Sequence, residues 1–67
     1  MNDQERAIKI ALATRDKSQR WLAGKLGTSP QNLNIRIKRG TLKDAEMHKI
    51  ADALGMVWKS GFVEKEV

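Results

Sequence analysis

The side chains of this sequence that could do chemistry are carboxamides and cations, not nucleophiles or metal ligands. Gln31, Asn32 and Asn34 lie close together on what reads as one short helix, and each carries a donor and an acceptor on a single planar group. Around them, every charged residue in the segment 17–43 is basic: Lys17, Arg20, Lys25, Arg36, Lys38, Arg39 and Lys43. The eight acids, Asp3, Glu5, Asp16, Asp44, Glu46, Asp52, Glu64 and Glu66, all fall outside it. Thirteen Lys and Arg give a net charge of +5. A one-signed field of this kind is the footprint of a polyanion partner, and the alternative is simply a soluble basic surface. No cysteine is present, so disulfides and thiolate chemistry are excluded. His48 stands alone, with no second His at ligand spacing, and is expected to be a solvated side chain with no metal. There is no His/Ser or His/Cys constellation, no Gly-rich phosphate loop opening a helix and no carboxylate pair within a motif. Neither an enzyme nor a cofactor is expected.

Sixty-seven residues form one domain, 1–67, which buries only about 60% of its unfolded surface and is expected to be marginally stable alone. No apolar run approaches the roughly twenty residues that a membrane span needs, and the N-terminus is polar. A soluble, cytoplasmic chain without membrane contact is the expectation.

The elements that must position the carboxamides are legible from spacing. Leu22, Ala23 and Leu26 share one helical face, and Leu33 and Ile37 share another, one turn apart. Between the two sets, Gly27 can stop a helix with positive φ, Ser29 can cap the next one, and Pro30 suits its first position. The segment 18–37 is therefore a helix-turn-helix, mainly α like most of the chain. A first helix is expected over 3–15, capped by Asn2 or Asp3, with Ile8, Ala11 and Leu12 inward and Glu5–Lys9 as an i, i+4 pair. Ile10 leaves this stripe and is either packed sideways or exposed. Ser18 caps the second helix after an Asp16–Lys17 turn, and Gly24 within that helix costs about 1 kcal/mol for no reason visible in the sequence. Trp21 either lies half-covered against the stems of Lys17 and Lys25 or serves a partner or protomer contact.

A fourth helix over 43–54 places Met47, Ile50, Ala51 and Leu54 on one face, with Leu42 as a staple, a possible Thr41–Asp44 capping box and Gly55 at its end. The period then changes. Met56, Trp58 and Phe62 fall on one face of an extended chain and Val57 and Val63 on the other, which reads as a strand over about 56–64. Its backbone needs partners. Ser60–Gly61 could fold a hairpin with very short arms, but pairing with the same strand of a second protomer is the preferred expectation, with Trp58, Ser60 and Phe62 at the dimer contact. Trp58 and Phe62 are also expected to cover the fourth helix near Met47, Ile50 and Leu54.

The run Ser18-Gln19, Leu22-Ala23, Lys25-Leu26-Gly27-Thr28-Ser29, Gln31 and Leu33 resembles the helix-turn-helix of the phage Cro/repressor-type DNA-binding family. That resemblance implies a four-helix lambda-repressor-like domain with a central helix-turn-helix and a short C-terminal β-strand. It also implies a phage or bacterial protein, nucleoid-associated when bound, that recognises double-stranded DNA as a small Cro-like transcriptional repressor, a homodimer on a palindromic operator. The alternative is a protein-interaction module of the same fold, an antitoxin or anti-repressor.

The family roles carry over to particular residues. Gln31, Asn34 and Ile35, with Asn32, are the base-reading candidates: Gln31 for adenine, Asn34 second to it, Ile35 for a thymine methyl or else packed on the fourth helix. Asn32 can equally serve a phosphate or a cap. Gln19, Ser29, Arg36, Lys38 and Arg39 are the phosphate candidates. Three positions depart from the family pattern. Trp21 stands where a Glu commonly closes a capping box, Pro30 where a polar residue is common, and Ile35 where a polar base-reader is common.

Overall fold

The computed structural model describes residues 1–65 and contains four helices followed by two short strands. They are α1 (Asp3–Thr14), α2 (Gln19–Leu26), α3 (Pro30–Arg39), α4 (Asp44–Ala53), β1 (Met56–Trp58) and β2 (Phe62–Glu64). Asn2 serves two of them at once. Its side-chain oxygen accepts the Glu5 N–H at 2.8 Å and caps α1, while its Nδ2 donates to the carbonyls of Ile37 and Lys38 at 3.1 and 3.2 Å, where α3 ends. Carbonyls at a helix C-terminus have no partner within the helix, so the N-cap residue of α1 also completes the last turn of α3.

The two turns ahead of α3 are closed by the same motif. At the first, Lys17 N–H donates to Leu12 and Asp16 N–H to Ala13, with Asp16 at φ 55. At the second, Thr28 N–H donates to Ala23 and Gly27 N–H to Gly24, with Gly27 at φ 71. Ser18 and Ser29 then cap α2 and α3 by accepting the N–H groups of Trp21 and Asn32. The expected Thr41–Asp44 capping box does not form. α4 starts after Lys43, with no side-chain cap, and Asp44 and Glu46 supply negative charge in its first turn, where the helix dipole favours it. The connection into α4 is held from α1: Gln4 donates to the Leu42 carbonyl at 2.8 Å and accepts its N–H at 3.0 Å.

Ile8, Leu22, Leu33, Ile37, Met47 and Ile50 form the centre of the core, and Ala23 is fully buried among them on α2. Ile10 is 61% exposed, so of its two readings the exposed one holds.

The tail differs from the expected lone strand. It turns back on itself as an antiparallel pair, with Met56 opposite Glu64, Val57 opposite Val63 and Trp58 opposite Phe62. The backbone that was expected to need a second protomer finds its partner within the chain. A three-residue loop of Lys59, Ser60 and Gly61, with Ser60 at φ 48, allows this; the two-residue turn considered from sequence does not occur. The strand faces follow the expectation. The Trp58 and Phe62 rings meet at 4.9 Å with 55° between their planes, half-buried against the core, with β1 beside α4 and β2 beside α1.

Arg15 fastens this end. Its guanidinium donates to the Leu54 carbonyl at 2.7 Å and to that of Gly55 at 3.3 Å, and pairs with both carboxylate oxygens of Glu64. Each member of the pair stabilises the other's charge, so hydrogen bonding pushes the Arg15 pKa up and holds that of Glu64 down. Among the described residues no helix is long and apolar enough to cross a membrane.

Candidate nucleic-acid interface

Leu33 and Ile37 anchor α3 to the core, and this fixes which of its side chains can meet a partner. On the opposite side Gln31, Asn34 and Ile35 are exposed. Ile35 is 48% exposed, which places it outside the packing with α4 that was one of its two readings. Asn34 is oriented from below: the Gln19 amide donates to its Oδ1 at 3.1 Å, leaving the Asn34 Nδ2 to donate outward. Gln19 thus touches a base-reading candidate. Asn32 turns the other way, its Nδ2 donating to the Thr28 hydroxyl at 3.0 Å, so its amide tightens the turn and does not point along the outer face with Gln31. This turn contact is a use that the sequence did not suggest. The Ser29 oxygen accepts the cap bond and keeps its hydroxyl proton for a partner.

The C-terminal half of α3 is arranged differently. Arg36 and Lys38, on either side of the buried Ile37, both carry acidic partners. Arg36 forms an ion pair with Glu46 in the first turn of α4, and Lys38 lies 2.8 Å from Glu5 in the first turn of α1. These two phosphate candidates are therefore engaged within the fold, whereas Arg39 is exposed and appears in no ion pair among the described residues. Glu5 is only 3% exposed, and Lys9 stands 3.5 Å from the same oxygen. Hydrogen bonding and charge from Lys38, aided by Lys9, outweigh the effect of burial and hold the Glu5 carboxyl below its usual range. The Oε2 atoms of Glu5 and Glu46 are both shielded from water.

Sequence reasoning missed Asn2, Glu5 and Glu46 as supports of α3, and Gln4 as the support of the connection into α4. Only the local Glu5–Lys9 spacing carried a signal, and the partners across the fold carried none. Gly40, which ends α3 at φ 66, sits so close under Asn2 that an added Cβ would lie 2.9 Å from the Asn2 Cγ.

Trp21 is half-buried, with the Lys17 and Lys25 ammonium groups 5.2 and 5.6 Å from its ring, in agreement with the half-covered reading. Gly24 is exposed with open space around it, and nothing in the structure explains it. His48 is exposed. Trp58 and Phe62, expected at a protomer contact, spend much of their surface on each other and the core, and Ser60 sits in the loop. What stays open beside them is Val63, 42% exposed, and Ile10, which borders a groove of about 280 Å³ between α1 and the hairpin. Among the described residues no group of three or more His, Cys, Asp or Glu is placed to hold a metal ion.

Comparison with protein-family models, with curated proteins and with solved structures finds no match to this chain.

Proposed function

We propose that this chain is a non-enzymatic, sequence-specific binder of double-stranded DNA: a small Cro-like transcriptional repressor of the lambda-repressor-like type, working as a homodimer on a palindromic operator. One observation carries the reading. Gln31, Asn34 and Ile35 project from one exposed face of a helix whose opposite face is locked by Leu33 and Ile37, behind a capped turn. A helix presented in this way fits the major groove. Gln31 then offers a donor and an acceptor to adenine N6 and N7, Asn34 donates through the Nδ2 that Gln19 leaves free, and Ile35 meets a thymine methyl. Ser29 and Arg39 at the two ends of α3, with the exposed Arg20 and Lys43 elsewhere on the surface, carry groups that suit phosphate.

Dimerisation no longer rests on an unpaired strand. It rests on the second edge of β2, which pairs with β1 on one side only, and on the exposed apolar side chains of Val63 and Ile10. A two-fold axis there would set two copies of α3 on half-sites about 34 Å apart. Sedimentation at micromolar concentration should show a dimer that Val63→Glu dissociates. A wild-type monomer under those conditions would remove the homodimer from the proposal.

Titration of labelled duplexes at several salt concentrations tests the DNA reading. Binding should weaken linearly on a log–log plot with a slope of about −0.9 per phosphate contacted. Absence of binding to any duplex at low salt would leave the protein-interaction module as the surviving reading of this fold.

A further inference from the structure

Glu5 and Glu46 occupy the same position in different helices, the third residue of the first turn of α1 and of α4. Each faces one cation of α3, Glu5 facing Lys38 and Glu46 facing Arg36, and the two cations flank the buried Ile37. From the juxtaposition of these two carboxylates with the two cations we infer that Glu5 and Glu46 are specificity-determining residues, which compete with DNA phosphate for Lys38 and Arg36 and so hold down binding to non-cognate duplex. This rests on the DNA-binding reading proposed above.

The placement of the carboxylates makes the exchange practicable. A buried carboxylate stripped of its cation is normally strongly destabilising. Here each has a reserve. When Lys38 turns to a phosphate, Lys9 remains 3.5 Å from the same Glu5 oxygen, and the N-terminal end of the α1 dipole also favours the charge. When Arg36 turns away, Glu46 keeps the N-terminal end of α4. Lys38 and Arg36 are, moreover, 58% and 38% exposed in their side chains, so a phosphate can reach both from solvent. On a non-cognate duplex, where no base contact seats α3, the internal carboxylates win the competition, and both cations stay home. On the operator, Gln31 and Asn34 fix the helix against the groove, and phosphate is held beside the cations long enough to displace the carboxylates. The acids thus act on the ratio of the two affinities, which is what specificity is.

The experiment compares wild type, Glu5→Gln and Glu46→Gln, all of which keep side-chain shape. Each binds a mixed-sequence duplex and the best duplex selected by wild type, between 50 and 200 mM salt, with circular dichroism melts run alongside. Each variant should bind the mixed-sequence duplex more tightly than wild type at 50 mM salt, with a slope steeper by about 0.9. That extra slope erodes the gain about 3.5-fold between the two salt concentrations. The ratio of selected to mixed affinity should fall. The control variant Asp52→Asn, an exposed acid of α4 in no ion pair among the described residues, should leave both affinities unchanged. If wild type binds but both variants match it in slope and ratio, or bind the mixed duplex more weakly while still folded, the inference is overturned and the DNA reading stands. If wild type binds no duplex, both are overturned.

Discussion

The two halves of α3 treat their polar side chains in opposite ways. Toward the N-terminus, Gln31, Asn34 and Ile35 stand on the surface, and the one internal bond among them, from Gln19, aims a side chain without burying it. Toward the C-terminus, Arg36 and Lys38 are tied to Glu46 and Glu5, and the last carbonyls are tied to Asn2. In sequence these cations looked unopposed, because all the acids lay outside the segment 17–43. Folding brings two of those acids onto the helix. Charge separated along a chain is not charge separated in space. One half of α3 holds the helix, and the other is left available.

Changes at the tied end of α3 should therefore cost stability, and truncation of an exposed polar side chain at the other end should cost only recognition. Ile37→Ala is expected to have the largest effect, about 3 kcal/mol of folding stability, because it empties a fully buried site between the two ion pairs. Urea unfolding measures it, and a loss below about 1 kcal/mol would mean that this half is not anchored as described. Gly40→Ala should follow at about 2 kcal/mol, since the alanine would be strained at φ 66 and its Cβ would press on the Asn2 cap. Gly27→Ala provides the contrast. It has the same left-handed backbone but open space around it, so about 1 kcal/mol is expected. Equal losses at the two glycines would remove the Asn2 contact from the account.

On the open half, Gln31→Ala should leave the unfolding midpoint unchanged yet relax preference at one base pair by about 1–3 kcal/mol, read from competition between matched and mismatched duplexes. A variant that lost affinity for all duplexes equally would place Gln31 on phosphate instead. The smallest effect concerns pH. The Glu5 pKa is lower in the folded chain than in the unfolded one, so its contribution is fully present above the ordinary carboxylate value of about 4.3 and fades as pH falls through the folded value. Stability should decline below about pH 4 less steeply in Glu5→Gln than in wild type, and identical acid limbs in the two would argue against the Glu5–Lys38 pair.

The same division explains what could be read from sequence. The two helices and their turn were legible because Gly27, Ser29, Pro30 and the apolar spacing act over a few residues, and the end of α2 and the start of α3 follow from them, while α3 runs two residues past the expected 37. The tail was only half legible. Alternation gave the faces on which Trp58 and Phe62 lie, but the choice between an internal and an external partner turned on a loop in which Ser60 adopts φ 48, a conformation its residue type does not advertise. Asn2 was legible as a cap of its own helix but not as a cap of α3, because nothing local signals a contact across so much chain. The acidic partners of Lys38 and Arg36 were illegible for that reason as well.

Selection of bound duplexes from a random pool, run in parallel with wild type and Gln31→Ala, tests the central claim most directly. The account expects wild type to enrich one imperfectly palindromic sequence, and the variant to enrich the same sequence with preference lost at a symmetric pair of positions. Enrichment of no sequence by wild type at low salt, or of the same sequence with undiminished preference by the variant, would contradict it.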